Sequence, residues 1–214
     1  MKGRFITLEG GEGSGKSTAI ESIQAWLEAR EISYIMTREP GGTPLAEDIR
    51  QLILHSREER VSDLTELLLV FAARAQHIAE KIQPALANGL WVISDRFLDS
   101  SYVYQGNARG GDKTMIDTLA SWVVAESQPD VTLLLDVSVE VGQQRVVQRQ
   151  QQDRLDKESL AFHEKVRQGF LARAKQEPNR VKIIDASQSI DAVKNDIATQ
   201  LDQLAIAWQI GSVQ

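Results

Sequence analysis

The sequence predicts an α/β fold, with five parallel strands in one sheet and helices on both faces. Three observations carry this. First, short apolar, β-prone runs alternate with stretches of helical spacing along all 214 residues, the arrangement of a parallel sheet covered on both sides. Second, a glycine-rich loop joins the first such run to the first helical stretch. Third, neither a fixed-period repeat nor a Pro/Gly/Ser-rich linker interrupts the chain, so residues 1–214 read as one domain with enough length for a buried core. Sheets of this kind take ligands beyond the carboxyl ends of their strands, which makes the residues just after each strand the candidates for function.

Composition narrows the classes. Lys plus Arg is 24 against 30 Asp plus Glu, a net charge of −6, which argues against broad nucleic-acid binding. There is no cysteine, so there are no disulfides and no thiolate metal site. No apolar run approaches a membrane span, and the first strand begins too early for a signal peptide. The expectation is a soluble cytoplasmic protein with no nucleic-acid or membrane partner.

The first strand is Phe5–Glu9, and a helix is expected from Thr18 to about Arg30, with Ile20, Ile23, Trp26 and Leu27 at helical spacing. Between them lies Gly10-Gly11-Glu12-Gly13-Ser14-Gly15-Lys16-Ser17, the G-x-x-x-x-G-K-S pattern of a Walker A phosphate loop in its required strand–loop–helix setting. Its glycines let backbone N–H groups close on phosphate oxygens, and the helix start adds unpaired donors and a positive dipole end. Lys16 should reach the β- and γ-phosphates and Ser17 should ligate Mg²⁺, with Thr18 next to it. A dinucleotide fingerprint fails, because Lys16 stands where its last glycine is needed. Glu12 is out of keeping: a carboxylate 4 Å from a donor phosphate charge is repelled by about 4 kcal/mol at an effective dielectric near 20. It must point away or meet a compensating partner such as a sugar hydroxyl.

The second strand, Ser33–Thr37, runs into Arg38-Glu39-Pro40-Gly41-Gly42-Thr43-Pro44, a turn whose Thr43-Pro44 pair can open a helix. Arg38 and Glu39 there face the phosphate loop. Arg50 in the following helix would by itself be a surface charge. A long helix is expected from about Asp63 to Asn88, closed by Gly89, with Leu64, Leu67, Leu68, Phe71 and Ala75 as its apolar stripe. Phe71 and Arg74, three apart, project from one side, and by itself Phe71 reads as core. His55, His77 and His163 read as surface or satisfied histidines.

The third strand, Trp91–Asp95, ends in Asp95-Arg96-Phe97. An apolar strand ending in Asp is the Walker B pattern for binding Mg²⁺. Asp136, ending the fourth strand Val131–Val137, offers the same pattern, but Arg96 beside Asp95 adds a bidentate phosphate partner, and Asp136 suits capping of the next helix. Ser100, Ser101, Tyr104 and Gln105 follow in a polar stretch. From about Val139 a helix is expected to run into a charged, glutamine-rich segment reaching Asp156 that contains Arg149 and Arg154, suited to a lid over about 145–157. The fifth strand is Val181–Asp185, and the helix from about Ile190 to Trp208 is structural.

A phosphate loop, a strand-end Asp and dispersed arginines describe phosphoryl transfer from a nucleotide. Two anion sites, one on the loop and one on Arg38, Arg50 and Arg96, favour a kinase over a hydrolase or switch, and there is no N-K-x-D guanine signature.

These motifs, in this order over nearly the whole length, resemble the bacterial thymidylate kinase family: the acidic phosphate loop, Thr37-Arg38-Glu39-Pro40-Gly41-Gly42-Thr43, Phe71-Ala72-Ala73-Arg74, Asp95-Arg96-Phe97-Leu98-Asp99-Ser100-Ser101, Tyr104-Gln105-Gly106 and Asp153-Arg154-Leu155-Asp156. The resemblance implies the P-loop kinase fold with a short lid, and transfer of the γ-phosphoryl group of ATP to dTMP with Mg²⁺, in dTTP synthesis. It implies that Glu12 holds the sugar 3′-hydroxyl, Phe71 stacks on thymine and Arg74 bonds a thymine carbonyl. Gln105 with Ser101 would read the other polar edge, and Tyr104 would crowd the 2′ position. Arg38, Arg50 and Arg96 would bind the acceptor phosphate, with Glu39, Pro40 and Ser100 nearby. Asp95 would organise Mg²⁺, the lid arginines Arg149 and Arg154 would be catalytic, and the protein would be a homodimer. In many members the stacking aromatic lies four residues before the arginine, where this chain has Val70; Phe71 lies three before. Another monophosphate acceptor, or nucleotide binding without turnover, is the alternative.

Overall fold

The computed structural model describes residues 3–55, 57–59, 61–148 and 154–210. Five strands form one all-parallel sheet: β1 (Phe5–Glu9), β2 (Tyr34–Arg38), β3 (Trp91–Asp95), β4 (Val131–Asp136) and β5 (Val181–Asp185), in the order β2-β3-β1-β4-β5. All five expected strands are present; β2 starts and ends one residue later than its apolar run suggests, and β4 ends one residue sooner. Both neighbours of β1 are reached by long crossovers. The chain steps one way from β1 to β2 and the other way from β3 to β4, and a crevice opens at the carboxyl end of β1, where the phosphate loop sits.

Nine α-helices are described: α1 (Lys16–Glu28), α2 (Pro44–Leu54), α3 (Asp63–His77), α4 (Gln83–Ala87), α5 (Leu98–Ser101), α6 (Lys113–Val123), α7 (Val139–Val147), α8 (Leu160–Gln176) and α9 (Ile190–Ala207). Two π-helical segments, Ile78–Ile82 and Tyr102–Ala108, continue α3 into α4 and extend α5. Alternation along β1 sorts the core. Ile6 and Leu8 face α1 and α9, packing with Ile23, Leu27, Ile197 and Leu201. Phe5 faces the other way, onto Leu67, Phe71, Ile82 and Phe97. A third cluster joins Leu134 to Val103, Tyr104, Phe162, Val166 and Phe170. Burying each such side chain stabilises by roughly 1.5–3 kcal/mol.

The stretch expected as one helix from Asp63 to Asn88 is helical throughout but widens at Ile78–Ile82. Pro84 is the reason: it has no N–H to give the preceding turn and its ring crowds the carbonyl there, so the helix loosens. Gly89 closes it as predicted, in the left-handed region at φ 79°. Gly89 N–H donates to Leu86 and Leu90 N–H to Ala85, the paired bonds of a Schellman end. Thr43 caps α2 through the Ala46 N–H, with Pro44 at its first position. Helix α7 runs to Val147, the last apolar residue before the glutamine-rich segment, and Val147 is itself 71% exposed. Arg149 and Asp153 lie outside the described residues. Among the described residues no helix is long and apolar enough to cross a membrane.

Candidate active site

The phosphate loop follows β1 directly. Gly13 has φ 70°, and a Cβ there would come within 2.0 Å of the Gly142 carbonyl oxygen on α7, so only glycine lets loop and helix approach. No side chain caps the first turn of α1, which leaves its N–H groups aimed into the loop for an anion. Lys16 Nζ lies 4.0 Å from Asp95 Oδ1. Burial, then Arg96, pushes the lysine below its ordinary pKa, against the pull of Asp95, Glu12 and Glu9.

Glu12 points out of the phosphate cradle. Its Oε1 accepts from Arg96 Nη2 and from the Tyr104 hydroxyl, each at 2.8 Å. Burial works to raise its pKa, but Arg96, Lys16 and the Tyr104 bond together bring it down to about 2. Arg96 is itself in the left-handed region at φ 70°, a conformation non-glycine residues keep only where surroundings enforce it. The enforcement is visible: its N–H donates to Leu8, and Nη1 donates to Gly10 O at 2.9 Å and Ser100 Oγ at 3.2 Å. Burial opposes the charged guanidinium, yet Tyr104 and the carboxylates of Glu12, Glu9 and Asp95 raise its pKa further.

Two adjoining cavities open beside these groups. The outer one, about 230 Å³, is lined by Lys16, Ser17, Asp95, Arg38, Arg50 and Arg96, among others. The inner one, about 60 Å³, is lined by Val70, Arg74, Ser101, Tyr104 and Gln105 with apolar neighbours. Glu39, Pro40 and Arg96 border both. In the outer cavity Arg38 is paired with Glu47 at 2.9 Å, and Arg50 Nη1 donates to the Pro40 carbonyl at 2.8 Å.

The inner wall is held by buried carboxylates. Arg74, 1% exposed, donates to Glu39 Oε2 at 2.7 Å, Ser101 Oγ at 2.8 Å and the Phe97 carbonyl at 3.0 Å. Glu39 Oε1 meets His77 Nδ1 at 2.9 Å, and His77 Nε2 meets Thr37 Oγ1 at 2.6 Å. His77 is therefore satisfied, and it is deeply buried. His163 is a departure: it is 5% exposed and Nε2 has no partner among the described residues. On α3 the row Glu66, Val70, Arg74 at i, i+4, i+8 faces the cavity.

Phe71 does not line the cavity. One step round the helix from Val70, it is 2% exposed and packed in the Phe5 cluster, beneath the Arg74 guanidinium at 4.9 Å. Val70 lines the cavity in its place. Arg154 lies beside the inner cavity's wall, donating to the Ile53 carbonyl at 3.1 Å and to Glu66 Oε2. Asp136 caps nothing: Arg167 takes both its oxygens, at 2.8 and 2.9 Å, and Ser138 caps α7. Asp95 Oδ1, by contrast, is buried with no hydrogen-bond partner among the described residues.

Three residues were not singled out from the sequence. Glu9 accepts the N–H groups of Phe97 and Ser100 and the Ser100 hydroxyl at 2.8, 3.2 and 2.6 Å, fixing the Arg96 turn to β1. Burial, then Asp99, pushes its carboxyl up to about 7. Its place directly before the loop was the available signal. Glu66 lies eight residues before Arg74, on its face of the helix. Arg145 bridges Gly13 O at 3.3 Å and Ala186 O at 3.1 Å, joining the phosphate loop to the end of β5; only proximity in the fold reveals it.

A family model of thymidylate kinases matches residues 8–197. A thymidylate kinase of Marinomonas sp. (strain MWYL1) is 71% identical over 208 residues, covering 97% of this chain and 98% of its own. Those of Chromohalobacter salexigens and Alcanivorax borkumensis are 52% and 50% identical, each over 208 residues, covering 96% and 97% of this chain and 98% and 100% of their own. The strand order, the phosphate loop and the paired cavities accord with these matches, and the chain belongs to the thymidylate kinase family.

Proposed function

We propose that the chain transfers the γ-phosphoryl group of ATP to dTMP, giving ADP and dTDP. The observation that supports this best is the shared wall of the two cavities. Arg96, Glu39 and Pro40 border a charged chamber at the phosphate loop and an apolar chamber with a few polar groups. That is the shape needed to bring an acceptor phosphate to the donor while its base is held apart. Lys16 and the loop N–H groups hold the donor phosphates. Arg38, Arg50 and Arg96 hold the acceptor phosphate, and Glu12 with Tyr104 meets the sugar. Arg74, Ser101 and Gln105 read the base, with Val70 rather than Phe71 against its face. Arg154 serves as the lid arginine. Such catalysis is chiefly positioning and electrostatics.

Ser17 and Asp95 would hold Mg²⁺. The fit is supported by the buried Asp95 Oδ1, which has no hydrogen-bond partner among the described residues, and by Ser17 lining the same cavity. Mg²⁺ relies on few protein oxygens and completes its shell with water and phosphate. When bound it neutralises charge on the β- and γ-phosphates. A homodimer is proposed from exposed apolar side chains on α3 and α6, namely Leu64, Leu68, Met115 and Trp122; a monomeric sedimentation coefficient would refute it.

The test of the function is coupled ADP release with ATP and Mg²⁺, comparing dTMP, its ribose counterpart TMP, dUMP, dCMP, AMP and GMP. dTMP should give the highest kcat/KM. Preference for another acceptor would discard the base-pocket residues, and no acceptor dependence would leave only a nucleotide binder.

A further inference from the structure

We infer that Glu66 is a positioning residue that fixes which edge of the Gln105 amide faces the base, and thereby sets the preference for thymine over cytosine. The inference rests on the base-pocket reading above. Glu66 is 3% exposed, and both its oxygens are engaged. Oε1 accepts from Gln105 Nε2 at 3.0 Å, with Arg109 Nε 3.9 Å away; Oε2 accepts from Arg154 Nη2. Arg109 is tied in turn to Glu158 at 2.7 Å and Arg154 to the Ile53 carbonyl at 3.1 Å, so the carboxylate is held from two sides.

An ionised carboxylate offers only lone pairs. Gln105 must therefore turn its NH₂ toward Glu66, which leaves its carbonyl oxygen for the cavity that both residues line. An acceptor at that place suits thymine, whose N3 carries a hydrogen. Cytosine presents a lone pair at N3 and would set acceptor against acceptor. A glutamine amide without such a partner turns over at little cost and can show either edge. Discrimination then comes from the orientation Glu66 forbids as much as from the bond Gln105 makes.

The experiment uses the full chain and compares kcat/KM for dTMP and dCMP in the wild type, Glu66→Gln and Gln105→Ala. Glu66→Gln offers Gln105 both a donor and an acceptor, so the dTMP/dCMP ratio should fall by about tenfold or more, one hydrogen bond's worth. A loss of packing or of Arg154 placement lowers both acceptors alike and leaves the ratio unmoved. If Gln105→Ala collapses the ratio while Glu66→Gln lowers both acceptors equally, the role of Glu66 is overturned. If Gln105→Ala itself leaves the ratio unchanged, the base-pocket reading has failed instead. Should Glu66→Gln not fold, side-chain ¹⁵N spectra of the wild type decide. The Gln105 NH₂ should be protected from exchange before and after dTMP is added; protection that arises only with dTMP would place that NH₂ on the base and overturn the inference.

Discussion

The donor loop and the acceptor pocket are built in opposite ways. The loop is eight consecutive residues whose ligands are mostly backbone N–H groups, and its shape follows from glycine positions. The pocket gathers side chains from α2, α3, α5, the π-helical segment after it and the turns after β2 and β3, and buried carboxylates hold it together. Glu9 fixes the Arg96 turn, Glu12 fixes Arg96 and Tyr104, Glu39 fixes Arg74 and His77, and Glu66 fixes Gln105 and Arg154. The difference teaches that charge on this acidic chain is used internally: buried carboxylates hold cations and amides in place around the cavities.

The two constructions should fail differently. Removing the loop's one reaching side chain should abolish chemistry and spare the fold. Lys16→Ala is expected to lower kcat by about 10³-fold or more, as loss of a positioned cation in phosphoryl transfer does, with its urea midpoint unchanged. A large shift in that midpoint would show the loop to be part of the fold's support.

The pocket should fail as structure. Glu39→Gln leaves the Arg74 guanidinium buried with one charged partner fewer, and breaking such a pair costs about 3–5 kcal/mol. Urea unfolding should show that loss together with a raised KM for dTMP. A change in KM alone would mean Arg74 does not depend on Glu39.

Neighbouring positions on α3 sharpen the contrast. Phe71→Ala should cost about 3–5 kcal/mol of stability by opening a core cavity, with the KM for dTMP of the folded fraction little altered. Val70→Ala should cost less in stability and more in KM. The reverse pattern would return the stacking role to Phe71.

The smallest effect separates Glu9 from Glu12 by pH. The Glu9 carboxyl, raised from 4.5 to about 7, is more protonated folded than unfolded between those values, so its contribution to stability is present below pH 4.5 and is lost as pH rises toward 7. The Glu12 carboxyl, lowered to about 2, contributes above pH 4.5 and loses that contribution as pH falls toward 2. Unfolding free energies at pH 5 and 7.5 should therefore show a decline in the wild type, on the order of 3 kcal/mol at most, that is flattened in Glu9→Gln. An equal decline in both proteins would acquit Glu9.

The same division explains what could be read from the sequence. The five strands, the phosphate loop, the Thr43 and Gly89 helix ends and the strand-end Asp95 are local: each is specified by residues adjacent in the chain. That Phe71 turns inward while Val70 faces the cavity depends on where α3 lies against β1 and β3. A rotation of one residue on a helix is below what spacing alone resolves when apolar residues occupy both positions. Glu66 and Glu9 read as ordinary charges until the fold brings Gln105 and Ser100 to them.

The division between donor and acceptor sites is tested most directly by titrating dTMP into Lys16→Ala by calorimetry. A Kd close to that of the wild type, in an enzyme that no longer turns over, is the expected result. Loss of dTMP binding together with turnover would contradict it, because the acceptor would then depend on Lys16, the side chain assigned to the donor alone.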